Sequence, residues 1–249
     1  MRSRVLATLL LLGLVSAGCA SSGAPPVPRT TPGATSTPAP SADPEAIRWI
    51  RDSAEYRAAL YQVYRVATAH VDAAARGRQS GTWAVVLDAD ETVINNVQYQ
   101  IERTRQGLGF TPESWNAWVK RREATPLPGA SAFLARVRSL GGKIAIVTNR
   151  LVSECEDTEA VFRAHKLLYD VMLCRPDDGP SDKNPRFAAV RSGQPTGSPS
   201  PLEILAFLGD NIHDFPSLSQ ESLKSGAPAF ADFGVRYFVV PNPMYGSWQ

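Results

Sequence analysis

The chain is 249 residues long, enough for one domain with a sizeable core. Its formal net charge is +2, from 26 Lys and Arg against 24 Asp and Glu. That balance supplies no basic stripe, so a nucleic-acid polymer is set aside as a partner.

Arg2 and Arg4 precede a short apolar run from Val5 to Val15. A basic start followed by a run too short to span a bilayer predicts a secretory signal over residues 1–18. The run ends in Ser16-Ala17-Gly18-Cys19. Small residues before a cysteine resemble a bacterial lipobox, although Ser16 stands where Leu is usual. Cys19 is then the expected lipidation site and membrane anchor, and ordinary signal cleavage nearby is the alternative. Residues 19–44 read as a linker, because seven of the 25 residues from 20 to 44 are proline. Most of the others are Ala, Ser, Thr or Gly, which bury too little apolar surface to offset ordering entropy. Such a chain reaches on the order of 25–30 Å, enough to hold a domain off a membrane.

The globular domain is expected over residues 45–249. Tyr56, Leu60, Val63, Ala67, Val71 and Ala74 recur at helical spacing, so residues 46–75 predict one or two amphipathic helices. Trp83 to Leu87 is a continuous apolar run that suits the centre of a parallel sheet covered on both faces. It leads straight into Asp88 and Asp90. Open α/β sheets bind ligands beyond the carboxyl ends of their strands. Two aspartates that close repel when both are ionised, so a metal ion or a shared proton must compensate them.

Residues 97–128 contain no strand-like run and are expected to form a small helical cap. Thr111-Pro112 looks like a helix start, and Trp115 and Trp118 share a face of that helix. The pair reads either as core or as an aromatic wall over the acidic site. A helix from Pro128-Gly129 to about Leu140 follows, then a strand over Lys143 to Val147 ending in Thr148-Asn149-Arg150. A helix over 153–166, a strand over Val171 to Cys174, a polar loop to Lys183 and a helix from about Pro185 come next. Further strands are predicted over Leu202 to Leu208, before Gly209-Asp210-Asn211-Ile212-His213-Asp214, and over Arg236 to Val240. Alternating strands and helices argue for a three-layer, Rossmann-like α/β fold around a parallel sheet.

In such a sheet the polar strand ends converge. Asp88, the carbonyl of Asp90 and Asp210 could then supply oxygen ligands for Mg²⁺. Thr148, Asn149 and Lys183 could bind phosphate oxygens. The chemistry suggested is phosphoryl transfer through an aspartyl-phosphate.

The order DxDxT, a strand ending in TN, Lys, then GDxxxD resembles the four motifs of the haloacid dehalogenase (HAD) superfamily. More narrowly, the chain is similar to its subfamily IIIB, the class C or lipoprotein-e-type bacterial acid phosphatases. The likeness extends to EYRAALYQVY (55–64), SWNAWV (114–119), PLPGA (126–130), KNPRF (183–187) and VVPNPMYGSW (239–248). The resemblance implies that Asp88 is the nucleophile and Asp90 the general acid and base. It implies that Asp210 completes the Mg²⁺ site and that Asp214 supports the metal from behind or orients Lys183. Thr148 and Lys183 would hold the phosphoryl group, and Trp115 and Tyr245 would sandwich a ring of the substrate. It points to small phosphomonoesters, nucleoside 5′-monophosphates foremost, hydrolysed at the cell envelope, and a homodimer is a candidate assembly with the oligomeric state left open. The shared work of Asp88 and Asp90 predicts an acid optimum. A phosphotransferase to alcohols and a catalytically silent binding lipoprotein are the competing readings.

His70 and His165 are expected to be structural or exposed, and His213 to lie near the site without chemistry. Cys155, in the first turn of a helix, and Cys174, at the end of a strand, fall near the same sheet edge. A disulfide and two reduced, partly buried thiols both fit that placement.

Overall fold

A computed structural model describes residues 43–249. The expected signal peptide, Cys19 and most of the linker lie outside the described residues. The domain begins slightly earlier than the composition suggested. Asp43 pairs with Arg51 and, at 3.0 Å, with Arg105.

Two helices open the fold, α1 (Glu45–Asp52) and α2 (Ala54–Ala74). Ser53 separates them in an extended conformation, and its hydroxyl oxygen accepts the amide of Tyr56 at 3.0 Å, capping α2. Tyr56, Leu60, Tyr64, Ala67 and Val71 form the buried face of α2, spaced by three or four residues as an amphipathic stripe requires.

The central strand β1 (Trp83–Leu87) is buried at all five positions. Its side chains alternate between two cores. Trp83, Val85 and Leu87 pack under α2 and α5 (Ala130–Ser139), whereas Ala84 and Val86 pack against Phe187, Val190 and Phe207. The other long strands are β4 (Lys143–Leu151), β5 (Val171–Arg175), β6 (Glu203–Gly209) and the short β7 (Tyr237–Val239). All pair in parallel, in the order β5-β4-β1-β6-β7. Helices α6 (Val152–Ala164) and α7 (Asn184–Ser192) complete the layers. No helix among the described residues is long and apolar enough to cross a membrane.

Residues 97–128, the expected cap, hold two helices, α3 (Val97–Arg105) and α4 (Pro112–Arg121), and contribute Gln100, Phe110, Pro112 and Trp115 to the lining of a cleft. Thr111 caps α4 through a reciprocal pair with Ser114. The cap also holds strand that the sequence did not suggest. Ile94–Asn95 (β2) pairs antiparallel with Thr125–Pro126 (β3), closing its neck. Two-residue strands carry no periodicity to read. The second predicted strand runs on to Leu151, with a register shift after Val147 that lifts Thr148, Asn149 and Arg150 out of the regular ladder. Residues 212–230, unassigned from the sequence, fold as three short 3₁₀ turns.

Candidate active site

The carboxyl edge of the sheet carries the site. Asp88 leaves β1 with its amide bonded to the carbonyl of Leu208 on β6, at 3.0 Å. The chain then turns sharply. Val93 and Ile94 both donate to the carbonyl of Ala89 at 2.9 Å, and Glu91 takes a left-handed φ of 49°. The turn sets Asp88 and Asp90 on one cleft, which has a volume of about 1180 Å³.

Lys183 is 3% exposed and joins two carboxylates. Its ammonium donates to Asp88 Oδ1 and to Asp214 Oδ1, each at 2.6 Å. The second oxygen of Asp214 accepts the amide of Asn211 at 2.8 Å. This packing depends on Gly209, where an added Cβ would lie 2.1 Å from the Cβ of Asp214. Asp210 faces the same space and is held by Asn242, whose amide donates to Oδ2 at 2.8 Å. One carboxylate oxygen from each of Asp88, Asp210 and Asp214 lies within 4.8 Å of the others.

Charge is unbalanced here. Burial pushes Asp88 up to about 7, with Asp214 and Asp90 adding to the rise and Lys183 opposing it. Asp210 is also held well above the carboxylate range, first by burial and then by Asp214 and Asp88. Burial would lower Lys183, but Asp214 and Asp88 more than offset that and keep it charged. Three carboxylates around one ammonium leave room for a further positive charge. An all-oxygen donor set of this kind suits a hard divalent cation. Asp88, Asp210 and the backbone at Asp90 would hold such an ion, since both oxygens of Asp214 are already engaged.

Asp90 is gripped from the other side. Arg150, 2% exposed, donates from Nη2 to Asp90 Oδ1 at 2.8 Å and from Nε to both carboxylate oxygens at 3.1 Å. The same guanidinium reaches Asn96 Oδ1 and Thr158 Oγ1, each at 3.1 Å. Asn96 in turn donates to Asp90 Oδ1 at 2.8 Å and to Glu91, and it accepts the indole N–H of Trp118 at 2.9 Å. Glu91 points away from the cleft. Burial and the neighbouring Asp90 raise it to about 8.

The remaining predicted residues divide between cleft and core. Thr148 is fully buried, and its hydroxyl oxygen accepts the amide of Arg150 at 3.1 Å. Its neighbour Asn149 lines the cleft, with Oδ1 accepting from Arg186 at 2.6 Å. Trp115 lines the cleft from the cap, edge-on to Tyr99 at 5.2 Å and beside Phe110 and Arg150. Trp118 belongs to the core. Tyr245 also lines the cleft, and its buried hydroxyl has no protein partner. The segment carrying it is tied back by Ser247, which donates to Asn211 at 2.8 Å. His213 lies exposed at the rim, and His70 contacts the carbonyl of Leu205 at 2.9 Å as a structural residue. Cys155 and Cys174 are joined in a disulfide, with Cα atoms 6.1 Å apart.

Sequence reasoning missed the roles of Arg150, Arg186 and Asn242, and it read Asn96 only as a brace, with Asn95, for the turn into the insert. Only the position of Arg150, directly after Thr148-Asn149, hinted that it would reach the site.

A family model described as HAD superfamily, subfamily IIIB (acid phosphatase) matches residues 12–248. Among solved structures, the class C acid phosphatase from Bacillus anthracis is similar, with 30% identity and a TM-score of 0.71. The match covers 82% of this chain and 84% of that one. The same enzyme with tungstate bound matches at 30% identity and a TM-score of 0.69, over the same shares. Phosphatases of this superfamily use a divalent metal, and the aspartate cluster is the place for one here. The converging strand ends, the Lys183 bridge and these matches lead to one conclusion: the chain belongs to subfamily IIIB of the HAD superfamily, the class C acid phosphatases.

Proposed function

We propose that this acid phosphatase is Mg²⁺-dependent, prefers nucleoside 5′-monophosphates within a broad range of phosphomonoesters, and works at the cell envelope on a lipid anchor at Cys19. The observation that carries the chemistry is the Lys183 bridge between Asp88 and Asp214, beside Asp210 and facing Asp90. Asp88 attacks the phosphorus, and the bond to the ester oxygen breaks. Asp90 donates its proton to that oxygen as it leaves. It then takes a proton from the water that attacks the aspartyl-phosphate, which releases phosphate and restores both carboxyls. Lys183 and Asn149 balance and orient the phosphoryl oxygens. When bound, the metal ion offsets the negative charge that builds on the phosphoryl group.

The substrate reading rests on the aromatic walls. Trp115 and Tyr245 both line a cleft roomy enough for a nucleoside, and stacking tolerates any base. The tungstate-bound relative supports an oxyanion site, since tungstate is a tetrahedral oxyanion like phosphate. The location rests on the basic and apolar start and on Ser16-Ala17-Gly18-Cys19. The test is phosphate release by the full chain from a panel of 5′-nucleotides and alkyl phosphates, with Mg²⁺ or EDTA, beside Asp88→Asn. Metal-dependent release that disappears in the variant and ranks nucleotides first supports the reading. Equal rates on all esters would remove the nucleotide preference, and full activity in EDTA would remove the metal.

A further inference from the structure

Arg175 is the unexplained cation of the cleft. It ends β5 and lines the cleft, yet among the described residues it has no carboxylate within salt-bridge distance and its side chain donates no hydrogen bond. Its Nε is buried without a partner. The other two strongly basic side chains on the lining are committed. Arg150 holds Asp90, and Lys183 holds Asp88 and Asp214. A buried N–H without an acceptor costs about 1–3 kcal/mol, and no protein group supplies one to this Nε, so an oxygen ligand brought to it is favoured.

The position of Arg175 is fixed. Cys174, one residue earlier, is tied by its disulfide to Cys155 on α6, so alternation along the strand turns Arg175 to the opposite face. There it stands near enough to Arg186 to add to the lowering that burial imposes on that guanidinium. Arg186 is already spent on the carbonyl of Thr148 and on Asn149, so Arg175 is the guanidinium left to meet an anion. Arg175 is paired in register with Leu151 on β4, and β4 lies between β5 and β1. Two strand spacings put its backbone about 10 Å from the strand that delivers Asp88.

We infer that Arg175 forms a second anion subsite, which takes a phosphate or carboxylate on the leaving group of the ester while Asp88 attacks the phosphoryl group. The subsite rests on the phosphomonoesterase reading and narrows it toward substrates with two anionic ends. The guanidinium fork matches either oxyanion in two-pronged fashion, which an ammonium cannot do.

The test uses the full chain and pairs of substrates that differ by one anionic group. Phenyl phosphate is compared with 3- and 4-carboxyphenyl phosphate, and adenosine 5′-monophosphate with adenosine 3′,5′-bisphosphate. The quantity read is the ratio of kcat/KM within each pair, so a general loss of activity cancels. The wild type is expected to favour at least one dianionic-ended member. R175Q should lower that ratio about tenfold, the size of one charge-assisted hydrogen-bonding contact. R175K should fall between the two. A carboxylate effect alone or a phosphate effect alone identifies which anion fits. Ratios unchanged in R175Q overturn the subsite, even though turnover of phenyl phosphate would leave the phosphatase itself intact. If R175Q does not fold, unchanged ratios in R175K overturn the subsite in the same way.

Discussion

Arg150→Met tests whether the clamp on Asp90 serves catalysis or only folding. The guanidinium is almost fully buried and meets Asp90, Asn96 and Thr158 at 2.8–3.1 Å. Methionine fills much of the volume but leaves a half-buried carboxylate without its counter-charge. Breaking a buried pair from one side costs about 3–5 kcal/mol. For a domain of this size that lowers Tm by roughly 6–20 °C. The catalytic effect has a distinct signature. A positioned general acid contributes about 10²–10⁴-fold, and only where the leaving group needs a proton. With an alkyl phosphate, kcat/KM should therefore fall about 10- to 100-fold in Arg150→Met, measured well below the new Tm. With 4-nitrophenyl phosphate, whose leaving group departs unprotonated, the loss should stay within about threefold. Asp90→Asn should show the same split more strongly, and Arg150→Lys should lie between. Equal losses on both esters would refute the reasoning and leave Arg150 as a folding residue alone.

The metal site ties stability to pH. Asp88 rises from 3.8 to about 7 in the metal-free fold, so between those values the folded state holds a proton that the unfolded chain releases. Stability in EDTA should fall as pH rises from about 4 to 7 and then level off, and thermal melts with Mg²⁺ should flatten that slope. For the same reason Mg²⁺ should bind more tightly with rising pH, which calorimetry from pH 5 to 8 would show as proton release. Replacing Cys155 and Cys174 by serine opens a link that spans 19 residues, and urea melts should lose about 2–4 kcal/mol. Tyr245→Ala should raise KM for nucleotides about tenfold while sparing small alkyl phosphates, as expected for the loss of one stacking face. Tyr245→Phe should leave Tm within about 2 °C, because the hydroxyl it removes bonds to no protein group.

What could be read from the sequence follows from burial. β1 is covered on both faces, so WAVVL stands out as an unbroken apolar run and its end is marked by the first charge, Asp88. The same holds for β4 and β6, and the acidic and amide residues at their ends fall on one edge as parallel pairing requires. Side chains that act through other side chains left no such mark. Arg150 sits in the sequence as any arginine would, and only packing under α4 and α6 removes it from water. Asn242 is 32 residues from the Asp210 it holds, and Asn96 gathers Asp90, Glu91, Trp118 and Arg150 from three separate stretches. The ribbon of β2 and β3 and the 3₁₀ turns after Asp214 are too short for a repeat to form. Asp43 reads as linker by composition, but two arginines from α1 and α3 hold it to the domain.

The segment from Asn242 to Ser247 shapes how this enzyme is made. It braces Asp210, anchors to Asn211 and supplies Tyr245, although β7 has already closed the sheet. A nascent chain that has exposed everything up to Val239 can finish its sheet while its cleft still lacks a wall. Competence therefore comes after the sheet, once the segment from Asn242 to Ser247 has docked.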